Sequence, residues 1–139
     1  MTYVHSLPNR PSFAAFLHAV LSSFPIACFS LTVLTDMAYW RTLNLLWLHF
    51  SEWLLLAGLV FGTLALLARL IDLAVRKVRP AWLAVIGGLV VLLLAAINSF
   101  VHTADGWTAV IPYGLTLSVL TVLAMIITGW LGRRGVRHV

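Results

Sequence analysis

Thirteen formal charges in 139 residues leave four long uncharged runs, and that spacing constrains the fold more than any other feature of the chain. Pro11 to Thr35 is 25 residues without a charge, Trp53 to Ala68 is 16, Pro80 to Ala104 is 25 and Gly106 to Gly132 is 27. A charge near a bilayer centre costs several kcal/mol, so charges punctuate spans, and about 20 apolar residues are enough to cross. The spacing predicts four transmembrane helices: Ala14 to Trp40, Leu48 to Val75, Ala81 to Thr103 and Trp107 to Leu131. With 62% apolar residues and a mean hydropathy of +1.03, the chain reads as one integral membrane domain over residues 1–139. The first apolar run is too long for a cleavable signal and is expected to stay as a signal anchor. Helices 1–2 and 3–4 do not align as a repeat.

Basic residues are distributed unevenly between the two ends of such a bundle. Arg10, Arg69, Arg76, Lys77, Arg79, Arg133, Arg134 and Arg137 gather on one side and Arg41 stands alone on the other, which predicts that both termini are cytoplasmic. Trp40, Trp47, Trp53, Trp107 and Tyr39 then fall at the outer interface, and Trp82 and Trp130 at the inner one. The net charge of +5 is accounted for by topology, which argues against nucleic acid as a partner. The single Cys28 makes neither an internal disulfide nor a CxxC pair. No nucleophile–base arrangement, phosphate loop or dinucleotide fingerprint is present, so hydrolytic or kinase activity is not expected, and the chain does not read as an enzyme on its own.

Helical periodicity places a small or polar stripe on every span. Helix 1 aligns His18, Ser22, Pro25, Phe29, Thr32 and Asp36, and helix 2 aligns Gly58, Gly62, Ala65, Arg69 and Asp72. Helix 3 aligns Ala84, Gly88, Val91, Ala95, Asn98 and His102, and helix 4 aligns Gly114, Ser118, Thr121, Met125, Thr128 and Gly132. Four such stripes predict an all-α, up-down four-helix bundle closed by near backbone contact and interhelical hydrogen bonds.

The ionisable residues on these stripes form two clusters. The outer one holds Asp36, Arg41, Asn98, His102 and Asp105, and the inner one His18, Arg69 and Asp72. Intramembrane ionisable groups are candidates for function, here a quinone headgroup, a b-type haem or a proton path, with helix-end pairing as the structural alternative. In the functional reading His102 ligates or exchanges a proton, Asp36 orients it, Asn98 donates a hydrogen bond and Arg41 clamps an anion. His49 and Glu52 share a helix face, but two ligands do not make a metal site, and a solvated helix end is expected there. Cys28 and Met125 read as packing residues, and His5 and His138 as idle terminal residues.

At these residues the chain resembles a bacterial family of small four-helix membrane proteins known as domain of unknown function 2231 (DUF2231). The resemblance is carried by HAVLSSFPIACF at His18 to Phe29, TDMAYWRT at Thr35 to Thr42, FSEWL at Phe50 to Leu54, Ala57-Gly58 and Ile71-Asp72. It continues through Asn98 to Pro112 and the TGWLG segment at Thr128 to Gly132. Where relatives carry paired histidines at the start of helix 1, this chain has Ala15 and His18-Ala19, and a histidine common early in helix 3 is missing. The resemblance implies a four-helix protein of the bacterial inner membrane, and the company relatives keep implies a membrane anchor or electron-transfer subunit for a periplasmic or membrane redox protein, with a homodimer as another partner. A structural or assembly protein without cofactor, and a small proton or metal-ion channel or carrier, are the competing expectations.

Overall fold

The computed structural model describes residues 13–76, 82–104 and 110–136. Four long helices account for nearly all of them: α1 (Phe13–Thr42), α2 (Leu45–Arg76), α3 (Trp82–Thr103) and α4 (Leu115–Val136). Each is long and apolar enough to cross a membrane. Helix is the form such sequences take because bilayer hydrocarbon offers backbone groups no partner, so each N–H and C=O must be satisfied within the segment. The protein is therefore a multi-pass membrane protein, and its exposed leucines, isoleucines, phenylalanines and tryptophans are the surface that meets lipid.

The helices alternate in direction. The end of α1 meets the start of α2, the end of α3 and the start of α4, through Asp36 contacts to Ser51, His102 and Ser118. At the opposite end, called the basic end below because it carries Arg69 and Arg133, His18 near the start of α1 touches Ala65 late in α2. Up-down topology is thus as expected.

The α1–α2 connection is only Leu43 and Asn44. Leu43 takes a left-handed backbone conformation (φ 51°), and its N–H donates to the Tyr39 carbonyl at 2.7 Å, closing α1 as a glycine would at that position. Asn44 then caps α2, its Oδ1 accepting the Leu46 N–H at 3.0 Å. The cap is why α2 begins at Leu45 rather than at Leu48. The tight turn also sets register, because Asp36 lies seven residues before Leu43 and Ser51 seven after Asn44, two helical turns down each arm.

The expected start of the fourth span, Trp107, lies outside the described residues. Val110–Gly114 form a π-type turn broken at Ile111, whose extended backbone (φ −120°, ψ 116°) is what a residue before proline prefers. The Ile111–Pro112 peptide bond is cis. Regular helix follows from Leu115 and runs on to Val136, past the expected end at Leu131.

Packing follows the stripes. Phe29, Leu55, Val91 and Ala95 form the main core, with Leu59, Val122, Ala124 and Met125 against it. A second core joins Tyr39, Leu48 and Val110. Tyr39 is consequently buried rather than part of an interfacial belt, whereas Trp40, Trp53, Trp82 and Trp130 are exposed. Glycines permit the closest approaches. A Cβ at Gly58 would collide with the Phe29 ring, and one at Gly62 would come within 2.7 Å of Leu92 Cδ2, with Pro25 of α1 also in contact.

Candidate functional site

Asp36 joins all four helices. Its Oδ1 accepts from Ser51 Oγ of α2 at 2.5 Å and meets Nε2 of His102, on α3, at 2.9 Å. Its Oδ2 accepts from Ser118 Oγ of α4 at 2.5 Å. Behind these lie Asn98, whose Nδ2 donates to Ser118 Oγ at 2.8 Å, and Thr35, whose Oγ1 is 2.7 Å from Ser51 Oγ. Asp36, Ser51, Asn98, His102 and Ser118 are all buried.

Proton accounting fixes the roles. His102 Nδ1 lies 2.9 Å from the Asn98 carbonyl, and a carbonyl only accepts, so Nδ1 carries a hydrogen. One further proton lies between Nε2 and Asp36 Oδ1, shared by imidazole and carboxyl, and the pair is neutral overall wherever that proton sits. Each serine hydroxyl spends its single hydrogen on Asp36, so Ser118 accepts from Asn98 and a relay runs from Asn98 to Ser118 to Asp36. The single Thr35 hydrogen is shared among Ser51 Oγ and the carbonyls of Leu31 and Thr32, 3.1 and 3.0 Å away. One group is left over. Asn98 Oδ1 is buried without a hydrogen-bond partner, and exchanging the amide oxygen and nitrogen would orphan the NH2 instead, since the Ser118 hydrogen is committed.

The sequence expectation for this end is met in part. Asp36, Asn98 and His102 come together, but Arg41 is exposed and has no hydrogen bond or ion pair among the described residues, and Asp105 lies outside them. Five residues on from Asp36, Arg41 points about 140° away around the helix. Ser51 and Thr35 were not foreseen, and Ser118 was expected on the helix 4 stripe but not as a member of this cluster. The signal for Ser51 was available, since it extends the Gly58 stripe by two turns. Gly114 seats the imidazole, because a Cβ there would lie 2.9 Å from His102 Cε1 and 3.3 Å from Nδ1.

The basic end is built in the opposite way, around space. A cavity of about 630 Å³ lies between the four helices, within the range of small-ligand sites. His18, Arg69 and Arg133 line it toward the basic end, while Phe29, Val91 and Met125 line it at the depth of the main core. His18 and Phe29 are eleven residues apart on α1, which makes the cavity about 16 Å long at 1.5 Å per residue. Its wall includes Gly62, Gly88, Gly129 and Gly132. His18 Nδ1 is 2.8 Å from the Ala65 carbonyl and must donate to it, so in the neutral ring Nε2 carries the lone pair. Asp72 is buried on the same stripe but does not line the cavity.

The remaining candidates are quickly placed. His49 Nδ1 and Glu52 Oε2 are 3.2 Å apart on an exposed helix end, and no group of three metal-ligating side chains occurs among the described residues. Cys28 is a free, partly buried thiol, and Met125 packs on the main core. Thr32 and Thr121, mid-bundle, donate to the carbonyls of Cys28 and Leu117 on their own helices. His5 and His138 lie outside the described residues.

Against this geometry the comparisons with known proteins are clear on one point. The family model described as Predicted membrane protein (DUF2231) matches residues 15–138. The chain belongs to the DUF2231 family. For this DUF2231 protein the match spans all four helices and both polar ends, so the network and the cavity both lie within the family domain. Searches of curated proteins and of solved structures found no match.

Proposed function

We propose that this DUF2231 protein is a non-hydrolytic subunit of the bacterial inner membrane that holds a redox cofactor, a quinone or a b-type haem, in the cavity of its basic end and serves a redox partner. The observation that carries the reading is His18. Its Nδ1–H is tied to the Ala65 carbonyl and its Nε2 has no hydrogen bond among the described residues, in a cavity of cofactor size. Histidines that ligate metals are oriented in this way, by a backbone carbonyl on the second nitrogen, and the same lone pair accepts from a quinol hydroxyl. His102 is less suited to contact a ligand, because both its nitrogens are engaged and buried. In this reading Asp36, Asn98 and His102 hold the four helices in register around the cofactor, Arg69 and His18 face it, and the basic end is cytoplasmic.

The test is a reduced-minus-oxidised visible spectrum of the detergent-purified protein together with organic extraction for quinone. A b-type band or stoichiometric quinone, lost on His18→Ala in a protein that still elutes as a folded species, is the expected result. A colourless, quinone-free and folded protein favours the second reading, an assembly protein without cofactor. The saturated, closed network around Asp36 supports that second reading, since it is sufficient to hold a bundle with no chemistry at all.

A further inference from the structure

The cavity of the basic end carries a charge imbalance. Arg69 and Arg133 both line it, and among the described residues neither guanidinium has a hydrogen-bond or ion-pair partner. Among the described residues no Asp or Glu lines the cavity, and its body is mostly apolar, built from Pro25, Ile26, Leu66, Val85, Leu92 and their neighbours. Arg69 is half-buried and Arg133 exposed, so both stand at the mouth of the apolar space, and their forks of N–H donors match the oxygens of a carboxylate or phosphate.

Shape adds a second constraint. The cationic groups lie at one end of a space about 16 Å long whose far end is closed by Phe29 and Met125, so an occupant is oriented head to basic end and body to core. The glycine wall leaves real room. A Cβ built on Gly129 meets nothing within 4 Å, and one on Gly88 meets only Leu66 Cδ1, at 3.9 Å.

We infer that the cavity selects an amphiphile with an acidic head and an apolar body, the head paired with Arg69 and Arg133 and the body lying between the helices up to Phe29. This rests on the reading that the cavity is occupied, and it narrows that reading: a carboxylate-bearing macrocycle such as haem, or a lipid with a phosphate head, meets it, and a neutral quinone does not.

The experiment is native mass spectrometry of the full chain released from mild detergent, with lipid extraction and a visible spectrum on the same sample. Wild type is compared with Arg69→Gln/Arg133→Gln, with Arg69→Lys/Arg133→Lys and with Gly129→Phe, which adds a ring to the cavity wall. The expected result is one acidic amphiphile per chain, reduced tenfold or more in the Gln pair and in Gly129→Phe and largely kept in the Lys pair. A Soret band assigns the acid to propionates, and a bound mass containing phosphate assigns it to a lipid. An acidic lipid without redox activity upholds the inference and overturns the redox proposal. A neutral quinone that survives the Gln pair but not Gly129→Phe overturns the inference and upholds the redox proposal. A bound amphiphile indifferent to Gly129→Phe is surface lipid and overturns the inference, and an empty, folded wild type overturns both.

Discussion

His102 Nε2 and Asp36 Oδ1 lie 2.9 Å apart across 66 positions of chain, both side chains wholly withdrawn from the surface. With Ser51 and Ser118 on the same carboxylate, that contact ties four helices to one point. Removing Asp36 strands two hydroxyls and an imidazole at once, whereas removing Ser51 deletes its bond to Asp36 and its contact with Thr35, which keeps the Leu31 and Thr32 carbonyls as acceptors. Asp36→Ala is therefore expected to cost about 3–5 kcal/mol and Ser51→Ala about 0.5–1 kcal/mol. Reversible unfolding in detergent and urea checks the ranking, and equal losses would contradict it.

Gly114 offers a sharper probe of the same pair. An added methyl meets His102 Cε1 at 2.9 Å and has no space to enter. Gly114→Ala should destabilise by about 1–3 kcal/mol, the usual cost of overpacking. In the His102→Ala background the same change should cost much less, because the obstructing ring is gone; additive losses would place the strain elsewhere.

Between α1 and α2 the corresponding contact is Gly58 against the Phe29 ring. Gly58→Ala should lower the melting temperature measurably, by about 1–3 kcal/mol in stability, and Phe29→Leu, which vacates the ring edge, should restore part of the loss. A Gly58→Ala protein as stable as wild type would show that the two helices can separate at no cost.

Leu43 occupies the left-handed conformation that ends α1. A branched side chain there is strained by about 1–2 kcal/mol, and glycine removes the strain while adding unfolded-state entropy worth about 0.4–1 kcal/mol. Leu43→Gly is expected to leave the protein as stable or more stable by up to about 1 kcal/mol, read from the same unfolding curves. A clear loss would mean that the leucine's apolar contact matters more than its backbone.

Arg41 tests the expectation that the structure does not support. Exposed and without partners among the described residues, it should tolerate Arg41→Ala within about 0.5 kcal/mol. A larger change in unfolding would return Arg41 to the network.

Much of this architecture was legible in the chain because the bilayer removes choices. Charge spacing marks the spans, and small or polar stripes mark the faces; Asp36, Asn98, His102, Gly58 and Gly114 are all buried on the stripes read from period alone. Ser51 was harder, since a helical serine can equally satisfy itself on its own backbone, as Ser22 and Ser23 do here. Only the two-residue turn at Leu43 and Asn44 brings Ser51 level with Asp36. Tyr39 sits near the tryptophans in sequence but lies three residues from Asp36, on the same helix face, and that proximity buries it. The cavity was not legible, because a void is set by how four helices diverge and no residue type encodes it. Its components were in part: His18, Arg69 and Asp72 stood out as an inner cluster, of which His18 and Arg69 line the cavity and Asp72 does not.

The unlike ends of the bundle make its breathing uneven. At Asp36 all four helices are stapled, while at the basic end the helices part around a cavity of about 630 Å³, with His18 bonded to Ala65 across it. Local opening is cheapest where buried contacts are fewest, so amides lining the cavity should exchange with deuterium well before those around Asn98. The bundle is therefore expected to loosen first around the cavity, on fluctuations too small to unfold it, while the Asp36 end stays closed.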